Sequence, residues 1–236
     1  SLLFLEGYGM EAYKVASADL TNHQLLEALI ETGKPLICST GMSTEFEIKN
    51  SVDFLRNRGA NFVLLHCNST YPTPFKDINL AYLARLKHIA GGPVGYSGHE
   101  RGISVPIAAV ALGAKIIEKH FTIDKSMEGN DHKVSLLPSE FQMMVEEIRK
   151  IEESLGESTE RKISQGELLN RETLAKSIVA KKIISSGDRL TREMLHFKSP
   201  GQGLQPMYID QLLGKKAKRD FIAGDFFYES DLQEVE

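Results

Sequence analysis

The sequence predicts an α/β protein, a parallel (β/α) barrel of TIM type with about five of its eight units present, followed by a small β-rich domain. Between Ala12 and about Leu155, short β-type runs alternate with longer segments of helical period, the pattern of βα units feeding a parallel sheet. Each run also closes on a polar residue, where a parallel barrel presents side chains at its mouth. From about Leu174 the texture changes to short apolar pieces broken by turns such as Ser185-Ser186-Gly187-Asp188 and Pro200-Gly201-Gln202-Gly203.

Taken in order, the chain enters on Leu2-Leu3-Phe4-Leu5, which reads as the end of a helix already under way, so a fragment is expected. The strand runs are Tyr13 to Ser17, Pro35 to Ser39, Asn61 to His66, Pro93 to Ser97 and Lys115 to His120. Between them Leu25, Leu26, Leu29 and Ile30 mark one helical face, and Ile48, Val52 and Leu55 another. Thr44 with Glu47, and Ser139 with Gln142, have capping-box spacing and each predicts a helix start. Parallel strands in this number leave two long edges, so about three further units are expected upstream. The domain reading is 1–155 for the barrel part, 156–173 for a charged, turn-rich linker, and 174–236 for the small domain.

With 42% hydrophobic and 25% charged residues the chain can bury a sizeable core. A net charge of -4 and a basic run, Lys215 to Arg219, that Ala217 interrupts leave no footprint for nucleic acid. No apolar stretch reaches the roughly 20 residues of a membrane span, no signal peptide opens the sequence, and a cytoplasmic protein is expected. Cys38 and Cys67 both sit inside apolar runs and read as small buried hydrophobes rather than a disulfide framework.

His99, in Gly95-Tyr96-Ser97-Gly98-His99, and His120, in Glu118-Lys119-His120-Phe121, each fall where an apolar run gives way to polar residues. On parallel strands of one barrel both imidazoles reach the same rim, where two neutral rings suit a divalent cation, manganese first, with magnesium or cobalt as alternatives. Either ring alone would instead read as a hydrogen-bonded strand-end residue. Lys14 lies between apolar residues of a strand, a setting that favours a polar lumen over the reach to solvent of an ordinary strand lysine. Ser17, Ser39, Ser69 and Ser97 could donate hydrogen bonds around it, although Ser and Thr also close strands simply by making turns. His66 reads as an interior or rim histidine rather than a third ligand.

Assembled in order, these stretches resemble the sialic acid (N-acetylneuraminate) synthase family. The resemblance is carried by Tyr13-Lys14-Val15-Ala16-Ser17, Ser39-Thr40-Gly41-Met42, Leu65 to Pro74, Gly95 to His99, Ala111 to Ala114, Glu118 to Thr122 and Asp131-His132. From Lys176 onward the chain resembles the antifreeze-like (SAF) domain that follows the barrel in that family. The resemblance implies condensation of phosphoenolpyruvate with N-acetylmannosamine or a related N-acyl hexosamine, giving a nonulosonic acid and phosphate. It also implies a divalent metal and a domain-swapped homodimer. It assigns phosphoenolpyruvate contacts to Lys14, Ser17, Ser39 and Ser97, with Ser69 where some relatives carry asparagine, and metal ligation to His99 and His120. It gives sugar contacts to Asp131, with His132 beside it, and to Tyr71, whose other reading is a loop tyrosine anchoring a proline turn. Asp19 matches an acidic residue implicated in acid–base work, though it could instead help start the next helix. Ser199, in Lys198-Ser199-Pro200-Gly201, stands where sialic-acid-forming relatives carry an arginine, which leaves room for a diacetamido hexosamine as in legionaminic-type synthases, or for Lys198 to take over that contact. The alternatives are a non-catalytic sugar-binding SAF protein and another metal-dependent phosphoenolpyruvate-condensing or aldolase barrel.

Overall fold

The computed structural model describes residues 2–231; Ser1 and 232–236, the outer ends of the two expected domains, lie outside the described residues. The chain divides into two compact units, Ser1–Glu157 and Ser158–Glu236.

The first unit is built on five strands, β1 (Tyr13–Val15), β2 (Leu36–Ser39), β3 (Phe62–Cys67), β4 (Val94–Gly98) and β5 (Ile117–Lys119), all parallel and ordered in the sheet as in the chain. Helices α1 (Leu2–Glu6), α2 (His23–Ile30), α3 (Glu45–Asn57), α4 (Tyr82–Ala90), α5 (Ser104–Ala111) and α6 (Pro138–Leu155) complete it, with α2 to α5 each crossing between successive strands. Neighbours in sheet order that are also neighbours in sequence mean that every crossover lies on the same face, the winding of a barrel rather than of a doubly wound sheet. The result is a half-barrel.

That one-sided winding dictates the core. Tyr13 and Val15 of β1, Leu36 and Cys38 of β2, Leu64 of β3, and Val94 and Tyr96 of β4 face the helices and join Leu26, Val52, Leu55 and Leu86 in one buried cluster. Each fully buried leucine there contributes about 2 kcal/mol by leaving water. The residues between them along each strand project to the opposite, lumen face.

The Thr44–Glu47 capping box forms as the spacing predicts: Glu47 N–H donates to Thr44 Oγ1 at 3.3 Å, and Thr44 N–H donates to Glu47 Oε2 at 2.7 Å. The Ser139–Gln142 expectation is corrected. Helix α6 begins one residue earlier, with Pro138 in its first turn, where the missing N–H costs nothing, and the Leu137 N–H donates to Glu140 Oε2 at 2.8 Å. The stretch 156–173 is also more ordered than a linker, because it contains most of helix α7 (Gln165–Leu174). Ser164 and Glu167 cap each other there, a helix signal that the charged composition masked.

In the second unit β6 (Ser177–Ala180) pairs antiparallel with β7 (Leu195–Lys198), and isolated bridges such as Ile184 with Phe221 extend the pairing. Ile178, Leu190, Leu212, Phe221 and Phe227 form its separate core, with the two phenylalanine rings stacked at 4.2 Å. Among the described residues no helix is long and apolar enough to cross a membrane.

Candidate active site

Strand parity decides which polar residues meet. Lys14 alternates with the buried Tyr13 and Val15, Ser39 with Cys38, Ser97 with Tyr96, and Glu118 with Lys119, so the first member of each pair reaches the lumen side at the C-terminal ends of the strands. Lys14, Ser17, Ser39, Ser69, Tyr71, Ser97, His99 and His120 all line one cavity of about 250 Å³. The sequence predicts these eight as site residues, and the fold brings them together.

The hydroxyls fall into two groups. Ser17 accepts from the Gly41 N–H at 3.1 Å, and Ser97 donates to Glu118 Oε1 at 2.7 Å. The Ser39 and Ser69 hydroxyls are buried with no hydrogen-bond partner among the described residues, an unfavourable state for a polar group unless a ligand completes it. Lys14 Nζ donates to the Val15 carbonyl at 2.8 Å and lies 3.7 Å from Glu118 Oε1. An ammonium and two unpartnered donors make a cradle suited to an anion. Gly41 is part of its shape: a Cβ there would sit 2.7 Å from Ser17 Oγ and collide with Ser69 Oγ.

The His99 and His120 rings lie 5.2 Å apart between centroids, edge to face. His99 Nδ1 donates to the Asn68 carbonyl at 2.7 Å, and Tyr71 OH meets Nε2 at 2.9 Å. An imidazole held by a backbone carbonyl through one nitrogen presents the other as a metal donor, so a cation would take the place of the Tyr71 hydroxyl. Burial holds the His120 imidazole below its ordinary value, the direction that favours the neutral ring, with Asp131 Oδ2, 3.8 Å from its Nδ1, opposing. Among the described residues no group of three His, Cys, Asp or Glu side chains forms a ready cage. Two imidazoles with the remaining positions left to water and substrate fit an exchangeable divalent cation rather than a closed structural one.

Three expected contacts, Asp19, Asp131 and His132, are not among the residues that line this cavity. Asp19 closes the short 3-10 turn from Ser17 but is not part of the cavity lining. His132 Nδ1 hydrogen-bonds Thr122 Oγ1 at 2.7 Å, which ties it to its own loop. In the second unit, Ser199 accepts from Lys176 Nζ at 2.8 Å and donates to the Leu174 carbonyl at 3.0 Å. His66 faces the helix layer, buried, with Nε2 2.7 Å from the Ile78 carbonyl, as an interior histidine should be.

Two lining residues with titratable side chains, Glu118 and Cys67, lie outside the set the sequence predicts. Glu118 is not among the predicted site residues, yet its lumen-facing parity follows from that of His120 two positions on. Cys67, read as an inert hydrophobe, lies at the end of β3 with Sγ 3.5 Å from Ser17 Oγ and 3.8 Å from His99 Nδ1. Burial works to raise its thiol, but the His99 and Ser17 contacts outweigh it and hold the group below its ordinary value. Burial works to lower the His99 imidazole, but the contacts with Cys67 and the Asn68 carbonyl overcome it and lift the group above its ordinary value. Cys38, on the helix face, is pushed up to about 12 by burial alone, with Lys14 opposing weakly.

Comparison with known proteins identifies the family of both units. The NeuB family pattern matches residues 1–160 and the SAF domain pattern residues 175–233. An uncharacterized protein of Methanocaldococcus jannaschii is 46% identical over 97% of this chain and 68% of its own length. An N,N'-diacetyllegionaminic acid synthase of Campylobacter jejuni is 40% identical over 94% of this chain and 67% of its own. The solved structure of an N-acetylneuraminic acid (sialic acid) synthetase from Leptospira borgpetersenii, in complex with citrate, superposes with a TM-score of 0.66 at 38% identity, covering 73% of this chain and 61% of that one. The chain thus spans about two thirds of the length of the relatives it matches. With family patterns over both units and synthases among its relatives, this chain belongs to the NeuB family of enzymes and carries a SAF domain.

Proposed function

We propose that the chain takes part in condensing phosphoenolpyruvate with an N-acyl hexosamine to give a nonulosonic acid and inorganic phosphate. The observation that carries this reading is the convergence of the Lys14 ammonium, the unpartnered Ser39 and Ser69 hydroxyls and the His99–His120 pair on one cavity. The three-carbon donor brings a phosphate and a carboxylate, which need fixed positive charge and hydroxyl donors; the sugar brings an aldehyde, which needs polarising. Lys14 and the four serines hold the donor. Tyr71, 2.9 Å from His99 Nε2, and Asp131, 3.8 Å from His120 Nδ1, are the side chains this reading assigns to the sugar hydroxyls.

A divalent cation on His99 and His120, manganese foremost, would supply Lewis-acid polarisation of the aldehyde oxygen when bound. Glu118, bonded to Ser97 and beside Lys14, is placed to orient the donor and to accept a proton from water adding at the enol carbon. Asp19 keeps an acid–base role only if substrate draws the turn from Ser17 inward. The overall balance adds one water, forms one carbon–carbon bond and releases phosphate. The legionaminic-type relative and Ser199 together favour a diacetamido hexosamine as acceptor over N-acetylmannosamine. The same proposal extends to a domain-swapped homodimer, checked by light scattering.

The test is phosphate release from phosphoenolpyruvate with a panel of acceptor sugars, with product identified as a nine-carbon α-keto acid. Release that requires both an N-acyl hexosamine and a divalent cation is expected. Release without acceptor, or none with any acceptor, contradicts the reading and favours a binding module.

A further inference from the structure

We propose that a buried ion pair between Glu100 and Lys119 is a positioning device that sets the separation of His99 and His120, and through it the affinity of the site for a divalent cation. The cation half of this statement rests on the function proposed above; the spacing half does not. Glu100 directly follows His99, and Lys119 directly precedes His120. Lys119 Nζ lies 3.0 Å from Glu100 Oε1 and also donates to the Glu100 backbone carbonyl, while Tyr96 OH donates to Glu100 Oε2 at 2.6 Å. Both charged side chains have no exposed surface at all. Lys119 is moreover the register partner of Gly98, so the clasp closes across the last rung of the β4–β5 ladder, one residue short of each imidazole.

Gly98 makes room for it, since a Cβ there would sit 2.6 Å from Glu100 Oε2 and 2.7 Å from Tyr96 Cε1. Stability alone gives little reason for such a pair, because two charges taken out of water are seldom better than two well-packed apolar groups. Direction is what an ion pair adds. Its hydrogen bonds run from a side chain on β5 to both the side chain and the backbone of the residue after His99, so β4 and β5 cannot shift along each other without breaking them. Slippage there would carry one imidazole away from the other.

The experiment uses the whole chain and removes both charges at once, Glu100→Gln with Lys119→Met, so that no lone charge is left buried. Three readings are taken: nuclear Overhauser contacts between the two imidazoles in metal-free protein, Mn²⁺ affinity by the resonance of free Mn²⁺, and thermal unfolding. The expected result is cooperative unfolding close to that of the parent, loss of the inter-ring contacts, and Mn²⁺ binding weakened about 10- to 100-fold. Inter-ring contacts and Mn²⁺ affinity both unchanged, with only the unfolding temperature lowered, would overturn the proposal. Should the double variant not fold, Tyr96→Phe decides, because it removes one hydrogen bond and no charge: a several-fold loss of Mn²⁺ affinity is expected, and an unchanged value overturns the proposal. If the parent binds no Mn²⁺, the metal reading fails by itself, and the inter-ring contacts alone judge the clasp.

Discussion

Both faces of the five-stranded sheet carry polar groups, and they use them in opposite ways. On the helix face, His66, Lys119, Glu100 and Tyr96 are buried and satisfied inside the protein, each against a named partner. On the lumen face, the Ser39 and Ser69 hydroxyls are left without partners among the described residues, and Lys14 and Glu118 stand beside them half-exposed, in a cavity open to small molecules. Adjacent residues in one strand belong to different chemistries: Lys119 is structural, while Glu118 and His120 on either side of it are available. Satisfaction on one face gives the rigidity that lets the other remain unsatisfied.

Removing one half of the buried pair should give the largest effect. Lys119→Met leaves the Glu100 carboxylate alone in the core and is expected to lower the unfolding free energy by about 3–5 kcal/mol in chemical denaturation. On the other face His120→Ala should do the reverse: turnover falls about 10²- to 10³-fold in the phosphate-release assay, with the unfolding midpoint nearly unmoved. A structural His120 would instead lose stability first. Gly41→Ala is a finer probe of the lumen, since its methyl intrudes between the Ser17 and Ser69 hydroxyls. It should raise KM for phosphoenolpyruvate more than it lowers kcat.

Acidity offers the smallest and most specific separation of the faces. Burial holds the His66 imidazole below its ordinary value, against the Ile78 and Asn79 carbonyls, which favour its charge. The unfolded chain therefore takes up the proton first, and stability is full above the ordinary imidazole value and declines as pH falls through it. His66→Gln should flatten that decline in unfolding curves taken from neutral to mildly acid pH; a decline equally steep in the variant would assign it to other groups.

Much of the lumen face was legible in the sequence because it depends on a period of two and on strand ends. Once Tyr13, Leu36, Val94 and their neighbours are read as strands, the lumen-facing partners Lys14, Ser39, Ser97, His99 and His120 follow by alternation. Glu118 obeys the same rule, but a glutamate beside a lysine carries no signal of its own that separates a lumen residue from solvated surface. Cys67 is buried and free, as its apolar run predicts, but the run itself gives no sign that the thiol faces the Ser17 hydroxyl. The Glu100–Lys119 pair joins residues 19 positions apart and needs the β4–β5 register before it exists. Asp19 shows the limit of reading motifs by adjacency, because the 3-10 turn that carries Ser17 into the cavity leaves the residue two positions on outside its lining.

Whether donor and cation share one pocket can be read directly from the phosphorus resonance of phosphoenolpyruvate. With Mn²⁺ and the intact chain, strong paramagnetic relaxation of bound phosphoenolpyruvate is expected, abolished by Lys14→Met through loss of the donor and by His120→Ala through loss of the cation. Phosphoenolpyruvate that binds with no such relaxation, or relaxation untouched by both substitutions, would place the anion and the metal in different parts of the molecule and contradict the site described.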